Sequence, residues 1–356
     1  SFAPGADRAI SMASVRPVAP PGQVAVEYAL IGDTLLTWTV RGDDVRLLRR
    51  TVDRGDFLRR IERVLAALES PARAASSSPD LQRLYDLLIR PVRGRLGASE
   101  TPLLILADGE VAGVPFPALL DRDRGRYLVE DHPLRFAATL ADAVRPAPAA
   151  DGAARPALLV ADPAFDPAHY PTLDRLQGAQ AEVDSLRALY PSSVVLDGSS
   201  ATRDAFTAHA PGASLIHYAG HAVFDDARPE RSALVLAGAD TIGRLSAEAV
   251  NSLQLRGVRL VVLAACSTLR SREGRSGGFA GLSGALLAAG AGGVVGSLWQ
   301  VDDRLTQPFM LAFHRAYSDS RDPTAALREA QVHLLRSAHP TLRSPAAWAG
   351  FRYIGS

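Results

Sequence analysis

From Ala157 onward, short apolar runs of strand length alternate with helix-length segments, and this alternation restricts the fold more than any other feature of the chain. The runs are ALLVAD (157–162), SVVLDG (193–198), ASLIHYA (213–219), LVLAG (234–238), RLVVLAAC (259–266) and VVGSLW (294–299). Between them lie GAQAEVDSLRALY, TRDAFTAHA, SAEAVNSL and the glycine-rich FAGLSGALLAAGA, each expected to be helical. Strands that are apolar throughout and separated by helices predict a mostly parallel sheet covered on both faces. Two longer helices, from about Asp303 to Ser318 and from Pro323 to Ser337, follow, and then the aromatic tail AAWAGFRYIG.

The first part of the chain has a different texture. VAVEYALIGDTLLTWTVRGDDVRLLRRT (24–51) reads as a three-stranded meander with turns at Gly32-Asp33 and Gly42-Asp43. Helical spacing of Leu58, Ile61, Val64, Leu65 and Leu68, and then of Leu81, Leu84, Leu87 and Leu88, predicts helices over 53–68 and 79–96. SPARAASSSPD (70–80) is expected to be the loop between them. PLLILA (102–107) is a strand, and RYLVEDHPLRFAAT (126–139) reads as a pair of short strands in which His132 has a structural role. The Pro/Ala-rich RPAPAADGAARP (145–156) marks an internal boundary. The expected organisation is a tail or linker over 1–23, a smaller meander-plus-helices half over 24–150, and an α/β half over 151–356.

Composition excludes several function classes. The formal net charge is +1 and both signs are interspersed, so no nucleic-acid partner or anionic membrane is indicated. No apolar run is long enough to span a bilayer, because AGLSGALLAAGAGGVVGSLW is interrupted by glycines and serines. Every basic residue is arginine, which removes a Walker A lysine, a Schiff-base lysine and a lysine general base together. A single cysteine, Cys266, rules out an internal disulfide and any cysteine-rich metal centre and fits a reducing, cytoplasmic compartment. The first residues carry no signal-peptide pattern and no initiator methionine, as expected of a fragment of something longer.

Ligands of open parallel sheets lie beyond the carboxyl ends of the strands. There the chain places His217-Tyr218-Ala219-Gly220-His221, then Cys266, then Asp302 and Asp303. A thiol needs a base to become a nucleophilic thiolate near neutral pH, and imidazole suits that task. His221 is the better base, since His217 lies within the apolar strand and reads as a core residue. Backbone N–H groups near these positions are the natural oxyanion donors, with Gly220 allowing close approach. The bland alternatives are a buried, inert Cys266 and a helix N-terminus capped by Asp302 or Asp303. The charged, glycine-rich run after the cysteine (270–278) reads as a mobile loop over the site.

Two other patterns fail on context. Gly274-Arg275-Ser276-Gly277-Gly278 fits G-x-S-x-G, but a charged loop rather than a strand precedes the serine. His217 and His221 have the spacing of a helical zinc motif, yet Tyr218 replaces its glutamate and the segment is strand-like. Neither a metal nor a phosphate ligand is implied.

These residues have a familiar pattern. A strand ending in HYAGH, then SALVLAG, LVVLAACST, GFAGLSGALLAAGAGGVVGSLWQVDD and AALREAQVHLL closely resembles the CHAT domain, a caspase- and separase-like cysteine peptidase module found in many bacterial proteins. VEYALIGDTLLTWTV, LYDLLIRPV, ILADGEVAGVPFPALLD and YLVEDHPLRFAAT resemble its N-terminal half, so the likeness runs from about Val24 to the C-terminus.

The resemblance implies a caspase-like fold and a cysteine endopeptidase that needs no cofactor, with His221 as general base and Cys266 as nucleophile. It also implies a dedicated protein substrate, a regulatory or sensor domain or protein upstream, and a place in bacterial immune or cell-death systems, such as activation of a gasdermin-like pore-former. Gly220 and Ala222 would supply backbone oxyanion donors. Many relatives carry glycine where this chain has Ala222, which still offers an N–H. Asp302 or Asp303 would line the pocket for the residue before the cut bond and favour a basic side chain. The alternative is a CHAT module that binds partners without cleaving.

Overall fold

The computed structural model describes residues 19–144, 155–225, 227–238, 243–265, 269 and 281–355. Cys266, the run 270–278 and most of the 145–156 connector lie outside the described residues, as does all but the last part of the 1–23 tail.

Its strands are β1 (Val24–Ile31), β2 (Thr34–Arg41), β3 (Asp44–Thr51), β4 (Leu103–Ala107), β5 (Leu120–Asp121), β6 (Arg126–Tyr127), β7 (Leu134–Phe136) and β8 (Ala157–Ala161). They continue with β9 (Val194–Asp197), β10 (Leu215–Ala219), β11 (His221–Val223), β12 (Ala233–Val235), β13 (Arg244–Ser246), β14 (Leu260–Ala264), β15 (Gly293–Ser297) and β16 (Phe351–Gly355). Eleven of them form one sheet in the order β3-β2-β1-β4-β7-β16-β15-β14-β10-β8-β9. β1, β4, β7 and β16 run parallel to one another, as do β15, β14, β10, β8 and β9. The two parallel blocks meet where β15 and β16 pair antiparallel. The fold is therefore the mostly parallel α/β sheet that the alternation predicts, and the sheet continues across the 150/151 boundary.

The central strands are buried on both faces because alternate residues serve two different cores, with His217 of β10 the polar exception. Leu159, Leu215, Ala219, Leu260 and Val262 face one core with Val183 and Leu186 of the helix Gln177–Arg187 and with Phe309 and Phe313 of the helix Asp303–Ser320. Leu158, Val160, Ile216, Tyr218, Val261 and Leu263 face the other, with Phe206, Val250 and Leu286. The sheet is thus covered on both sides.

Some local expectations are corrected. The stretch 70–80 is helical rather than a loop: Pro71–Ala74 forms one turn with Pro71 at its first position, where the missing N–H costs nothing, and a 3-10 turn follows. The helix expected over 79–96 ends its α part at Leu88 and continues as 3-10 turns over Arg90–Arg95, because Pro91 cannot extend an α-helix. Between β6 and β7 the chain makes the helical turn Leu128–Asp131, which the Glu130 carboxylate caps by accepting from Tyr127 N at 2.8 Å. His132 accordingly sits after a helical turn, with Nδ1 2.9 Å from the Thr101 carbonyl. The aromatic tail forms the short helix Pro345–Trp348 and then β16.

Candidate active site

β10 and β14 are adjacent, parallel and in register to their last residues, with Ala219 opposite Ala264. Their carboxyl ends open into a cleft of about 580 Å³ whose walls include Ala219, Gly220, Ala264, Ala265, Ser297 and Asp302. Ala265, the residue before Cys266, is held there by its carbonyl, which accepts from Ser297 Oγ at 3.1 Å. Gly220 lines the cleft, and its neighbours require glycine: a Cβ at this position would lie 2.6 Å from the Tyr218 ring. Tyr218 is fully buried, which pushes its phenol well above the usual range. Its hydroxyl proton is shared between the carbonyls of His221, at 2.7 Å, and Val235, at 2.6 Å.

After Gly220 the chain turns into β11, which leaves the main sheet and pairs antiparallel with β12; His221 faces Val235 and Ala222 faces Leu234. The His221 ring lies edge-on to Phe165, with centroids 5.4 Å apart. Its Nε2 lies 2.6 Å from the Asp174 carbonyl oxygen. A carbonyl only accepts, so Nε2 carries the hydrogen and the neutral ring keeps its lone pair on Nδ1. The imidazole is thus oriented, and its tautomer fixed, by a main-chain group.

Asp162, at the end of β8, organises the loop that supplies this carbonyl. Its φ of +38° turns the chain sharply, a conformation that aspartate tolerates better than most residues. Its carboxylate accepts from Arg175 Nε at 2.7 Å and from Leu176 N at 3.2 Å, and its own N–H bonds the Ala219 carbonyl at 2.8 Å. The ends of β8 and β10 and the 163–176 loop are therefore tied together around His221. The sequence reading missed this arrangement. Its only signal was an aspartate directly after a buried strand.

Asp302 is the N-cap of the helix Asp303–Ser320, its Oδ1 accepting from Arg304 N at 2.9 Å, and it is also exposed to the cleft. The capping alternative and the cleft-facing alternative hold together for this residue. The Asp303 side chain lies outside the described residues. The first half contributes Glu69 and Arg73 to the cleft, neither of which the sequence reading selected.

A buried polar chain lies beneath the cleft. His217 is fully buried; its Nε2 is 2.7 Å from Glu182 Oε1 and its Nδ1 is 3.0 Å from His314 Nε2. His314 Nδ1 is 2.9 Å from the Tyr190 hydroxyl. Burial, reinforced by His217, holds the His314 imidazole well below its usual pKa, so it is neutral. With Glu182 as the carboxylate, one polarity satisfies every group: Tyr190 donates to His314, His314 to His217, and His217 to Glu182. His217 is thus the satisfied core histidine that its apolar neighbours predict. Glu182 also forms part of the cleft wall. Among the described residues no group of histidine, cysteine and carboxylate side chains could hold a metal ion, and no helix is long and apolar enough to cross a membrane.

The sheet and its two helical layers define a caspase-like α/β protein. The chain aligns with separase in the Saccharomyces cerevisiae separase–securin complex at a TM-score of 0.60, with 8% identity, over 96% of this chain and 30% of that one. The CHAT domain family model matches residues 78–356, and the chain belongs to that family. Two curated relatives are tetratricopeptide repeat protein 28 of Mus musculus, 26% identical over 339 residues, and of Homo sapiens, 27% identical over 344 residues. The matches cover 79% and 80% of this chain but only 13% of each relative's length.

Proposed function

We propose that the chain is a cysteine endopeptidase that cleaves a dedicated protein substrate through an acyl-enzyme. In this reading His221 Nδ1 takes the proton of the Cys266 thiol, and the thiolate sulfur attacks the scissile carbonyl carbon. The oxyanion is met by backbone N–H groups about Gly220 and Ala222. The C–N bond then breaks as the imidazolium returns the proton to the leaving amine. A water molecule, deprotonated by the same imidazole, hydrolyses the thioester and frees Cys266. The observation that carries the reading is the His221 Nε2 bond to the Asp174 carbonyl, which leaves Nδ1 as the basic nitrogen at the start of β11, two residues beyond β10, while Ala265 lines the cleft directly after β14.

Asp302, with Asp303, is proposed to favour a basic residue before the cut bond. The 24–150 half is proposed to support the 151–356 catalytic half, consistent with Glu69 and Arg73 reaching the cleft. The reading places the chain in a bacterial cytoplasm, under an upstream regulator, within an immune or cell-death system in which a gasdermin-like pore-former is the kind of target.

A competing reading, an interaction module that does not cleave, is favoured by the curated relatives, whose names refer to repeats rather than to an activity. Alkylation by iodoacetamide separates the two. In a peptidase the single thiol reacts rapidly and loses that reactivity in His221→Ala. A rate that does not change between wild type and His221→Ala would support the interaction module instead.

A further inference from the structure

The β1-β2-β3 meander carries apolar side chains on both of its faces, although helices cover one of them. Val26, Tyr28 and Leu35 share a core with Phe57 and Ile61 of the helix Arg54–Leu68 and with Leu84 and Leu88 of the helix Ser78–Leu88. The register puts Ala29 and Ile31 of β1, Leu36 and Trp38 of β2, and Val45 and Leu47 of β3 on the other face. An antiparallel sheet that turned such a face to water would alternate apolar with polar residues. Here Ile31 is 66%, Leu47 42% and Val45 39% exposed. Clustered apolar exposure of this kind marks a contact surface.

The chain itself runs to this face. Ala19 is buried there with Ala25, Val40, Leu104 and Leu106, beside Ala143 of the helical turn Leu140–Ala143. Two segments outside the described residues therefore start from it: 1–18, which ends at Ala19, and 145–154, which follows Val144. The second has to reach β8, five places beyond β7 in the sheet and away from β3. Residues 1–18 are the chain free to cross the meander. From β4 to β3 the face is roughly 14 Å wide, a distance that about five extended residues span.

Charge points to the same occupant. Glu27 stands within the face, in register with Trp38 on one side and Leu106 on the other, and has no partner among the described residues. Its partial burial raises its carboxyl above the usual value. Residues 1–18 hold one acid, Asp7, against Arg8 and Arg16, and Ile10, Met12 and Val15 lie between the arginines. We propose that residues 1–18 cover this face, with Arg16 paired to Glu27 and with Ile10 and Met12 over Trp38 and Leu47.

The test is acrylamide quenching of tryptophan fluorescence in the full chain. Trp299 and Trp348 are fully buried and Trp38 is half-buried, so quenching reads this face. Ile10→Asp/Met12→Asp, Arg16→Glu and Glu27→Arg should each make Trp38 more quenchable than in wild type. Combining Arg16→Glu with Glu27→Arg restores the pair with its charges reversed and should return quenching toward wild type, which a misfolded chain would not do. Wild-type quenching in Ile10→Asp/Met12→Asp and Arg16→Glu overturns the proposal, as does a reversed pair that stays as quenchable as its single variants. Protection of Trp38 that rises with protein concentration, together with a dimer in sedimentation, also overturns it and gives the face to a second copy of the chain.

Discussion

His217 Nε2 lies 2.7 Å from Glu182 Oε1, and this buried pair fastens the helix Gln177–Arg187 to β10. With 0% and 2% side-chain exposure the two groups have no water to replace each other. Glu182→Ala should therefore cost about 2–4 kcal/mol in urea denaturation, since it strands the His217 N–H in an apolar layer. Glu182→Gln keeps an acceptor oxygen and should cost about 1 kcal/mol. Equal losses in the two variants would mean that packing, not the hydrogen bond, holds the helix.

The neutral, buried His314 predicts a dependence of stability on pH. Its folded pKa is depressed, so the unfolded chain binds the proton more readily. Its contribution to stability is fully present above the unfolded value near 6.5 and is lost as pH falls below it. The slope approaches about 1.4 kcal/mol per pH unit for this proton. His132, also lowered by burial, acts in the same direction. Denaturation at pH 7.5 and 5.5 should show a smaller acid loss in His314→Gln than in wild type. Parallel losses would show that His314 titrates alike in both states.

Tyr218→Phe removes the hydroxyl that holds the His221 carbonyl and the β12 carbonyl of Val235. The expected cost is about 1–2 kcal/mol, with slower iodoacetamide labelling of Cys266 because the backbone that carries His221 is loosened. Gly220→Ala should have a larger effect on both readouts, because its new methyl group would sit 2.6 Å from the Tyr218 ring. Wild-type stability in Gly220→Ala would show that the turn between β10 and β11 yields easily.

The sheet was legible because apolar runs of strand length alternate with helix-length segments from Ala157 onward, the order that a parallel sheet covered on both faces requires. The meander was legible from Gly32 and Gly42, whose positive φ values are those that its turns require. The helical turn Leu128–Asp131 was not legible, since four residues carry too little periodicity to distinguish it from a strand. At the site, His221 could be chosen over His217 because burial among apolar neighbours has a sequence signature. The partner of His221 could not be foreseen. A backbone carbonyl can come from any residue type, so Asp174 offered no chemical cue. Glu182 and His314 were hidden for a different reason: they lie 35 and 97 positions from His217 and meet only when two helices pack on one face of the sheet.

Asp302 combines two roles that one pair of substitutions can separate. As N-cap it satisfies Arg304 N, and Asn at this position keeps an accepting oxygen while removing the charge. Asp302→Asn should therefore leave the melting temperature near wild type, whereas Asp302→Ala should lose about 1 kcal/mol. If the carboxylate selects a basic residue in the substrate, cleavage profiling should show the preference for arginine weakened in both variants alike, because both lack the charge. A profile that changes only in Asp302→Ala would assign the effect to the displaced helix end rather than to the charge. An arginine preference unchanged in both would remove Asp302 from recognition and leave it as a cap.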